Sequence, residues 1–242
     1  MVVTSLDVEL AGGRHRVRMR HGPVRAQPLH GPGDRARIAL VGQTALLLGG
    51  DRVELDIRVG PGARLELTEV AGTVAYDGRG HAASWCTRIR LATGAELVWA
   101  GEPFVISDGA DVTRETRIEA AGGATAALRE TLVLGRSGEA GGRLRSRTAV
   151  FRDERPVLLE DLLLDPVDRR GPGLLGSARV LDSLLELGLD HPGDPDDRPA
   201  APSGTARFRL AEPGARLTRY LGAEAAASPL ARPRMRAAML AE

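Results

Sequence analysis

Acidic residues that stand inside apolar runs are the positions where this sequence could support chemistry. Asp51 follows LLLGG, Glu130 lies in LRETLVLG, and Glu160 and Asp161 interrupt VLLEDLLLD. Burying a carboxylate without a partner costs several kcal/mol, so each must be paired, hydrogen-bonded, metal-bound or open to water. All 33 basic residues are arginine, which favours structural ion pairs. A polar channel or metal path lined by carboxylates is the alternative.

Histidines and arginines form two further candidate groups near the amino terminus. The histidines are His15, His21 and His30, and the arginines are Arg16, Arg18 and Arg20. Imidazoles bind nickel, copper or zinc, but the spacing of the first two histidines would need ~20 Å of unbroken strand, so ordinary surface histidines are favoured. The alternating arginines predict a solvated strand face or a rim for an acidic protein, because the stacking aromatics typical of nucleic-acid sites are absent before Tyr76.

Several other chemistries lack their residues. Without lysine the chain can form neither a P-loop nor a Schiff base, and it contains no G-x-S-x-G, H-E-x-x-H or C-x-x-C motif. The single cysteine, Cys86, fits a reducing compartment. Asp7 and Glu9 stand where a signal peptide would be apolar, and no run of ~18 apolar residues occurs, so we expect a cytoplasmic protein without membrane contact. A formal net charge of +1 provides no domain-wide field for nucleic acid.

The elements that must position these residues are strands. The 30 glycines and 15 prolines separate short runs in which polar and apolar residues alternate. The clearest run, from Arg52 to Val59, predicts a strand with one buried face. The turn Gly60-Pro61-Gly62 then predicts a hairpin to a second alternating run, from Arg64 to Thr68. With 43% hydrophobic residues, we expect a single domain spanning residues 1–242.

One turn phrase, an arginine and an apolar residue followed by a Gly-Ala turn, recurs along the chain. Its Gly-Ala steps are Gly62-Ala63, Gly94-Ala95, Gly123-Ala124 and Gly214-Ala215. The first spacings are close to ~30 residues, the window expected when a supersecondary unit repeats along an extended sheet. Two interpretations stay open: a repeating unit, or a common hairpin in an arginine-rich chain. Both predict a mostly β fold.

Three segments towards the carboxyl end have less regular patterns. The proline- and aspartate-rich segment 188–204 predicts a flexible surface loop. Before it, SARVLDSLLELG fits either a helical face or a buried strand. The final RPRMRAAMLAE predicts a short helix.

Five segments of the sequence, taken in order, resemble the UreD/UreH family of urease accessory proteins. They are LLLGGDRVELDIRVGPGARLELT, VAGTVAY, EPFVI, LVLGRSGEAGG and RDERPVLLEDLLL, within residues 20–190. The resemblance implies a mostly β, elongated helical-sheet scaffold of β-solenoid type with one or two short helices. It also implies a protein that is not an enzyme.

The function implied by the resemblance is nickel delivery. Such a scaffold binds apo-urease and joins it to the accessory proteins UreF and the GTP-hydrolysing UreG, so that nickel reaches the buried dinuclear site. No cofactor would be tightly bound, and nickel would be in transit through an internal water-filled passage. Weak, successive oxygen contacts from inward carboxylates suit such transfer better than a closed site.

The resemblance also implies site residues, position by position. The transient nickel path would use Asp51, Glu102, Glu139, Glu160 and Asp161. The partner or structural motif would use Tyr76, Pro103, Gly135, Arg136 and Gly138. The sequence departs from the family at Thr68-Glu69-Val70, where members usually carry Thr-Gln.

A hypothesis from another class stays open beside this one. Glu130 and Glu160 could act as general acid and base of a hydrolytic or carbohydrate-active enzyme on a β-helical scaffold. Such an enzyme needs its two carboxylates ~5–9 Å apart in an open cleft. Three Phe, two Trp and two Tyr leave few aromatic platforms for sugars.

Overall fold

The computed structural model of this chain consists of two β-sheets stacked face to face. It describes residues 3–44, 47–171, 173–189 and 203–230. Strands account for 58% of the structure and helices for 3%, and in the described part of the chain no helix reaches 7 residues. The prediction of a mostly β fold is therefore confirmed. The short helices are 3-10 turns at Asp168–Arg170 and Ala225–Ala227.

The strands are numbered in chain order. The seven-stranded sheet has the spatial order β13 (Arg155–Leu164), β12 (Arg143–Arg152), β10 (Asp111–Ala120), β8 (Ala83–Leu91), β5 (Arg52–Val59), β1 (Thr4–Ala11) and β2 (Arg14–Arg20). The nine-stranded sheet has the order β15 (Thr205–Arg209), β16 (Arg216–Gly222), β14 (Val180–Leu187), β11 (Thr125–Leu134), β9 (Glu96–Ile106), β6 (Arg64–Glu69), β4 (Ala36–Gly42) and β3 (Val24–Pro28). Its ninth strand, β7 (Thr73–Ala75), pairs with β9 beyond the end of β6.

The chain winds between the two sheets in successive coils. It passes from β5 to β6, from β8 to β9 and from β10 to β11, each time changing sheet. Consecutive strands within one sheet are parallel, as in β5, β8, β10 and β12. The arrangement is β-solenoid-like, as the family resemblance implied. The hairpin predicted between β5 and β6 is wrong, because β5 pairs with β1 and β8 while β6 pairs with β4 and β9.

Glycine corners stack along one edge of these coils. Gly62, Gly94 and Gly123 have φ angles of 63°, 67° and 72°, a region that residues with a Cβ adopt only with strain. The alanine that follows each glycine is fully buried. Neighbouring corners are hydrogen-bonded, since the Gly62 N–H donates to the Thr93 carbonyl at 3.1 Å. The first three copies of the turn phrase are thus a repeating unit.

The fourth copy of the turn phrase is a hairpin. Gly214 has a φ of 72°, the same conformation, but it joins the antiparallel strands β15 and β16. Both interpretations of the phrase therefore hold, at different copies. The same local turn serves either connection, and the pairing of the flanking strands decides which one forms.

Alternation along the strands determines which side chains fill the space between the sheets. In β5 the buried residues are Val53, Leu55, Ile57 and Val59, and the charged residues between them lie on the solvent side. The ambiguous segment SARVLDSLLELG is strand β14, whose Leu181, Leu185 and Leu187 belong to the same core. The predicted carboxyl-terminal helix and most of the predicted loop at 188–204 lie outside the described residues, and the single domain stays a prediction.

Ion pairs cover the outer face of the seven-stranded sheet. Arg58 pairs with Asp56 at 3.0 Å and Arg147 pairs with Glu115 at 2.9 Å, with similar pairs along the neighbouring strands. Exposed pairs of this kind contribute about 0–1 kcal/mol each, so they do not determine the fold. The face is a broad, hydrated surface of mixed charge.

Replacing a corner glycine should destabilise the coil through backbone strain. We expect Gly94→Ala to lower the free energy of unfolding by about 1–2 kcal/mol, because alanine at positive φ is strained. Gly33 is a matched control, since it lies outside the positive-φ region and a Cβ added there would meet no atom within 4 Å. Gly33→Ala should change the free energy by less than about 0.5 kcal/mol in urea unfolding. Equal effects of the two substitutions would contradict the role of the corner.

Candidate functional site

A line of polar side chains interrupts the apolar core between the two sheets. It consists of Glu69, Arg114, Glu130, Glu160 and Arg219 with the hydroxyls of Thr116, Ser146, Thr148 and Ser183, and we call it the polar seam. Each member lies at an inward position of its strand. Arg114, for example, continues the inward register of β10 between the buried residues Val112 and Thr116. The seam therefore arises from the same alternation that builds the core.

The seam begins where the nine-stranded sheet is irregular. β6 ends at Glu69, and the register between β9 and β11 shifts so that Ala100 faces Arg129 but Pro103 faces Thr131. β9 thus carries an extra residue, and the close approach at Gly101 leaves no room for a Cβ beside the Arg129 carbonyl. The bulge directs the backbone N–H of Glu102 towards Glu69, at 3.1 Å.

Glu69 is the carboxylate most affected by this environment. The Trp99 indole N–H donates to its Oε1 at 3.0 Å, and the Glu102 N–H donates to Oε2. Burial raises the pKa of the Glu69 carboxyl above its ordinary value of 4.5, and the charge of Arg114 together with these hydrogen bonds opposes the rise. Glu69 is therefore a buried acid whose charge is balanced by specific neighbours.

Arg114 connects this end of the seam to its middle. Its Nε–H donates to Glu130 Oε1 at 2.5 Å. Its guanidinium carbon lies 4.6 Å from the ring centre of Phe104 and 5.9 Å from that of Trp85. Cation–π contacts of this kind favour a charged guanidinium between aromatic rings. Arg114 is thus fixed by one carboxylate and two rings.

Glu160 and Arg219 form the far end of the seam, between β13 and β16. Arg219 donates to the Glu160 carboxylate through Nη2 and to Ser183 Oγ through Nε at 3.2 Å. A cavity of about 30 Å³ lies beside them and is also lined by Glu130. A space of this size accommodates one or two water molecules, which need polar partners such as these. The arrangement can therefore hold charge and water between the sheets.

Asp161 lies on the opposite side of β13 from Glu160. It faces the solvent side of the seven-stranded sheet, where Arg145 donates to it at 2.7 Å and Arg147 at 3.3 Å. The hydrogen bond from Arg145, followed by the charges of both arginines, lowers the pKa of Asp161 to about 2. Two adjacent predicted path residues are thus separated by the sheet.

Two other predicted path residues stabilise turns at the edge of the coils. The backbone N–H of Leu48 donates to the Asp51 carboxylate at 3.0 Å. Glu139 accepts hydrogen bonds from the Arg136 side chain and backbone N–H, each at 2.8 Å, and these bonds lower its pKa to about 2. These carboxylates close turns, which is a structural use of the acid.

Most of the motif residues from the resemblance lie near the turn that Glu139 closes, and Pro103 lies within β9. Gly135 and Gly138 have φ angles of 88° and 81° in the turn that Glu139 closes, so both positions require glycine. Tyr76 is 38% exposed at the neighbouring corner, and its N–H donates to the Leu47 carbonyl at 3.1 Å. Pro103 lies at the bulge of β9. Their role in binding a partner stays a prediction.

Arginine pairing, the interpretation favoured for the embedded acids, is confirmed for three of them. Glu130, Glu160 and Asp161 each pair with arginine, whereas Asp51 accepts a backbone N–H. Of the five predicted path residues, Glu160 belongs to the seam and Glu102 borders it through its N–H. Among the described residues, no group of three or more His, Cys, Asp or Glu side chains could bind a metal ion. The nickel path stays a prediction.

The rival enzyme hypothesis gains no support from this cavity. Glu130 and Glu160 line it together, but each carboxylate is paired with an arginine. Its volume of about 30 Å³ is far below the ~300–1,000 Å³ typical of ligand pockets. An open cleft between two free carboxylates, which glycoside hydrolysis needs, is not what these residues form.

Comparison with known proteins identifies the family. The model for a family described as UreD urease accessory protein matches residues 3–236. The chain belongs to the UreD family. The resemblance found in the five ordered segments is therefore confirmed, and with it an accessory role connected with urease. None of the helices in the described ranges is long and apolar enough to cross a membrane.

Curated relatives of this UreD-family chain carry the same description. Urease accessory protein UreD 1 of Streptomyces griseus subsp. griseus is 48% identical over 220 residues, covering 90% of this chain and 83% of the relative. Urease accessory protein UreD of Streptomyces coelicolor is 37% identical over 204 residues, covering 81% and 79%. That of Frankia casuarinae is 43% identical over 176 residues, covering 67% and 55%.

Two glutamates of this UreD-family chain should affect stability with opposite dependence on pH. The lowered pKa of Glu139 means that its contribution is present above pH 4.5 and is lost as the pH falls towards about 2. The raised pKa of Glu69 means that its contribution is present below 4.5 and is lost as the pH rises through the raised value. We therefore expect wild type to gain stability relative to Glu139→Gln, and to lose it relative to Glu69→Gln, as the pH rises.

Urea unfolding of the three proteins across the acid-to-neutral range measures both differences. Each variant serves as the control for the other, because global effects of pH act on both. If the stability of wild type relative to Glu139→Gln and relative to Glu69→Gln changed in the same direction with pH, the opposite pKa shifts of the two carboxylates would be contradicted.

Proposed function

We propose that this chain is a non-catalytic scaffold for urease maturation that binds apo-urease and the UreF-type and UreG-type accessory proteins in the cytoplasm. Nickel is its cargo and passes to the urease active site without becoming a resident cofactor. The single observation that carries the proposal is the UreD family match across residues 3–236. The matched residues include the strands of both sheets and the polar seam.

The physical character of the chain supports a scaffold. Its outer sheet face is wide, exposed and of mixed charge, with pairs such as Arg90–Asp56 at 2.9 Å and Arg117–Glu119 at 2.7 Å. Such pairs can be exchanged for pairs with a partner protein at little cost, because exposed ion pairs contribute little to folding. A surface of this type favours association with charged proteins over binding of a small substrate.

The seam supports a narrower version of the predicted nickel path. Glu160 and Glu130 lie between the sheets beside a water-sized cavity, whereas Asp161, Asp51 and Glu139 lie on the outer face or in turns. Oxygen and nitrogen atoms are suitable ligands for nickel. A nickel ion that passed along the seam would replace an arginine guanidinium as the partner of each carboxylate. We therefore assign passage to the inward carboxylates.

Complex formation is the direct test of the scaffold. We expect the tagged chain to co-purify with urease subunits and with UreF-type and UreG-type proteins when all are co-expressed. The proposal would be contradicted if the tagged chain purified without urease from an extract in which urease is present and soluble. Size-exclusion chromatography with light scattering gives the stoichiometry of any complex.

Glu160 and Asp161 provide a matched test of the nickel path. They are adjacent in sequence, and only Glu160 faces the seam. Glu160→Gln should lower the nickel content of urease matured with the variant, because it removes an inward negative charge. Asp161→Asn should leave the nickel content at the wild-type level. Wild-type nickel content with Glu160→Gln, or an equal loss with both, would contradict passage along the inward carboxylates.

A further inference from the structure

The two sheets are unequal at one end of the molecule. Counting outward from the coil of β8 and β9, the seven-stranded sheet continues through β10, β12 and β13. The nine-stranded sheet continues through β11, β14, β16 and β15 in the same direction. Towards the other end each sheet has three further strands, β5, β1 and β2 in one and β6, β4 and β3 in the other. The nine-stranded sheet therefore extends one strand further at the β13 end.

The overhanging strand is β15, and it exposes an aromatic side chain. The pair between Glu160 and Arg219 places β13 opposite β16, so β15 lies opposite the position that a further strand beside β13 would occupy. Phe208 of β15 is paired in register with Leu217, whose side chain belongs to the core. Phe208 thus continues the inward face of the sheet, yet it is 47% exposed. Among the described strands, none lies opposite β15 in the way that β13 lies opposite β16.

The edge of β13 differs from the other terminal strands. Exposed sheet edges pair with other chains unless they are short or carry charge or proline. β2 exposes Arg14, Arg16, Arg18 and Arg20; β3 has five residues and ends at Pro28; and β15 has five residues. β13 has ten residues and carries its proline, Pro156, at the second position. Its outward side chains after that are Leu159, Asp161 and Leu163, and the two leucines are 64% and 46% exposed. Of the four, β13 is the longest edge, and two of its three outward side chains after Pro156 are exposed leucines.

We propose that the edge of β13, which pairs with β12 alone among the described strands, and the overhanging β15 form a docking notch for one extended, apolar segment of a partner protein. The segment would add an eighth strand to the seven-stranded sheet, with backbone hydrogen bonds to β13. Its inward side chains would cover Phe208, and its outward side chains would contact Leu159 and Leu163. The inference rests on the proposed function, because the partner is a protein of the urease assembly.

A second copy of the chain does not fit this notch. Suppose that β13 of one copy paired with β13 of a second copy. The second copy's β16 lies opposite its own β13, so it would have to lie beside β16 of the first copy. That position is already occupied by β15. A single extended segment, with no second sheet behind it, fits the notch without this clash.

Hydrogen exchange of the full chain, alone and in complex with apo-urease and the UreF-type protein, tests the notch. We expect the amides of Val157–Leu164 to exchange more slowly in the complex. The double variant Leu159→Lys with Leu163→Lys should weaken the complex at least about tenfold, because charge on an edge strand opposes strand addition. Both leucines are exposed, so the variant should keep the wild-type melting temperature. Leu29→Lys, at a residue 44% exposed near the opposite end, is the matched control.

A peptide with the sequence of Arg155–Leu164 provides a measurement that is independent of urease. Its alternate amides are N-methylated, so that it can form backbone hydrogen bonds along one edge only. We expect it to bind the wild-type chain and to lose at least about tenfold in affinity for the double lysine variant. The notch would be overturned if the complex formed without any change in the hydrogen exchange of β13 and the double variant formed it equally well. That result would leave the proposed function intact. Absence of any complex with the wild-type chain would overturn the proposed function, and the peptide measurement would then decide the notch by itself.

Discussion

Backbone hydrogen bonding between parallel coils is the constraint on which the rest of this structure depends. Each coil must leave one sheet, turn and enter the other in register with the coil before it. The stacked corners at Gly62, Gly94 and Gly123 meet this requirement, because glycine adopts positive φ and the alanine that follows fits a space closed on all sides. Since the register is shared by all coils, inward side chains align across strands. Both the apolar core and the polar seam are products of that alignment.

Much of the fold could be predicted from local alternation, and the exceptions have a physical cause. The run from Arg52 to Val59 is a strand with the buried face that its pattern indicates. The hairpin predicted after it was wrong because a turn with Gly62 at positive φ serves equally to reverse a strand or to change sheet. The choice is made by pairing with residues ~30 positions away, in the neighbouring repeat, which a local pattern does not contain.

The candidate site was predictable in part, for a related reason. Acids in apolar contexts were expected to be paired, and Glu130 and Glu160 are paired with arginines between the sheets. The family resemblance assigns Glu139 and Asp51 to a nickel path, which stays a prediction, and in the fold their carboxylates close turns. Glu69 departs from the family's usual residue at this position, and it continues the inward register of Leu65 and Leu67. The alternation of inward and outward side chains, followed to the last residue of each strand, identifies the members of the seam.

Charge is organised differently on the two sides of the seven-stranded sheet, and this difference relates the fold to the proposed function. Outward pairs are exposed and interchangeable, which suits a protein that assembles with others. Inward charges are few and individually fixed, as Arg114 is by Glu130 and by the rings of Phe104 and Trp85. The proposed nickel-carrying scaffold needs both properties, a surface that can exchange partners and an interior that tolerates charge without forming a closed metal site.

The nickel content of urease purified from a urease-producing host with and without this chain tests the central claim most directly. We expect urease from the deletion strain to be assembled but poor in nickel, and reintroduction of the wild-type chain to restore the metal. Urease that is fully loaded with nickel in the absence of the chain, with no related accessory protein present in the host, would contradict a role in urease maturation.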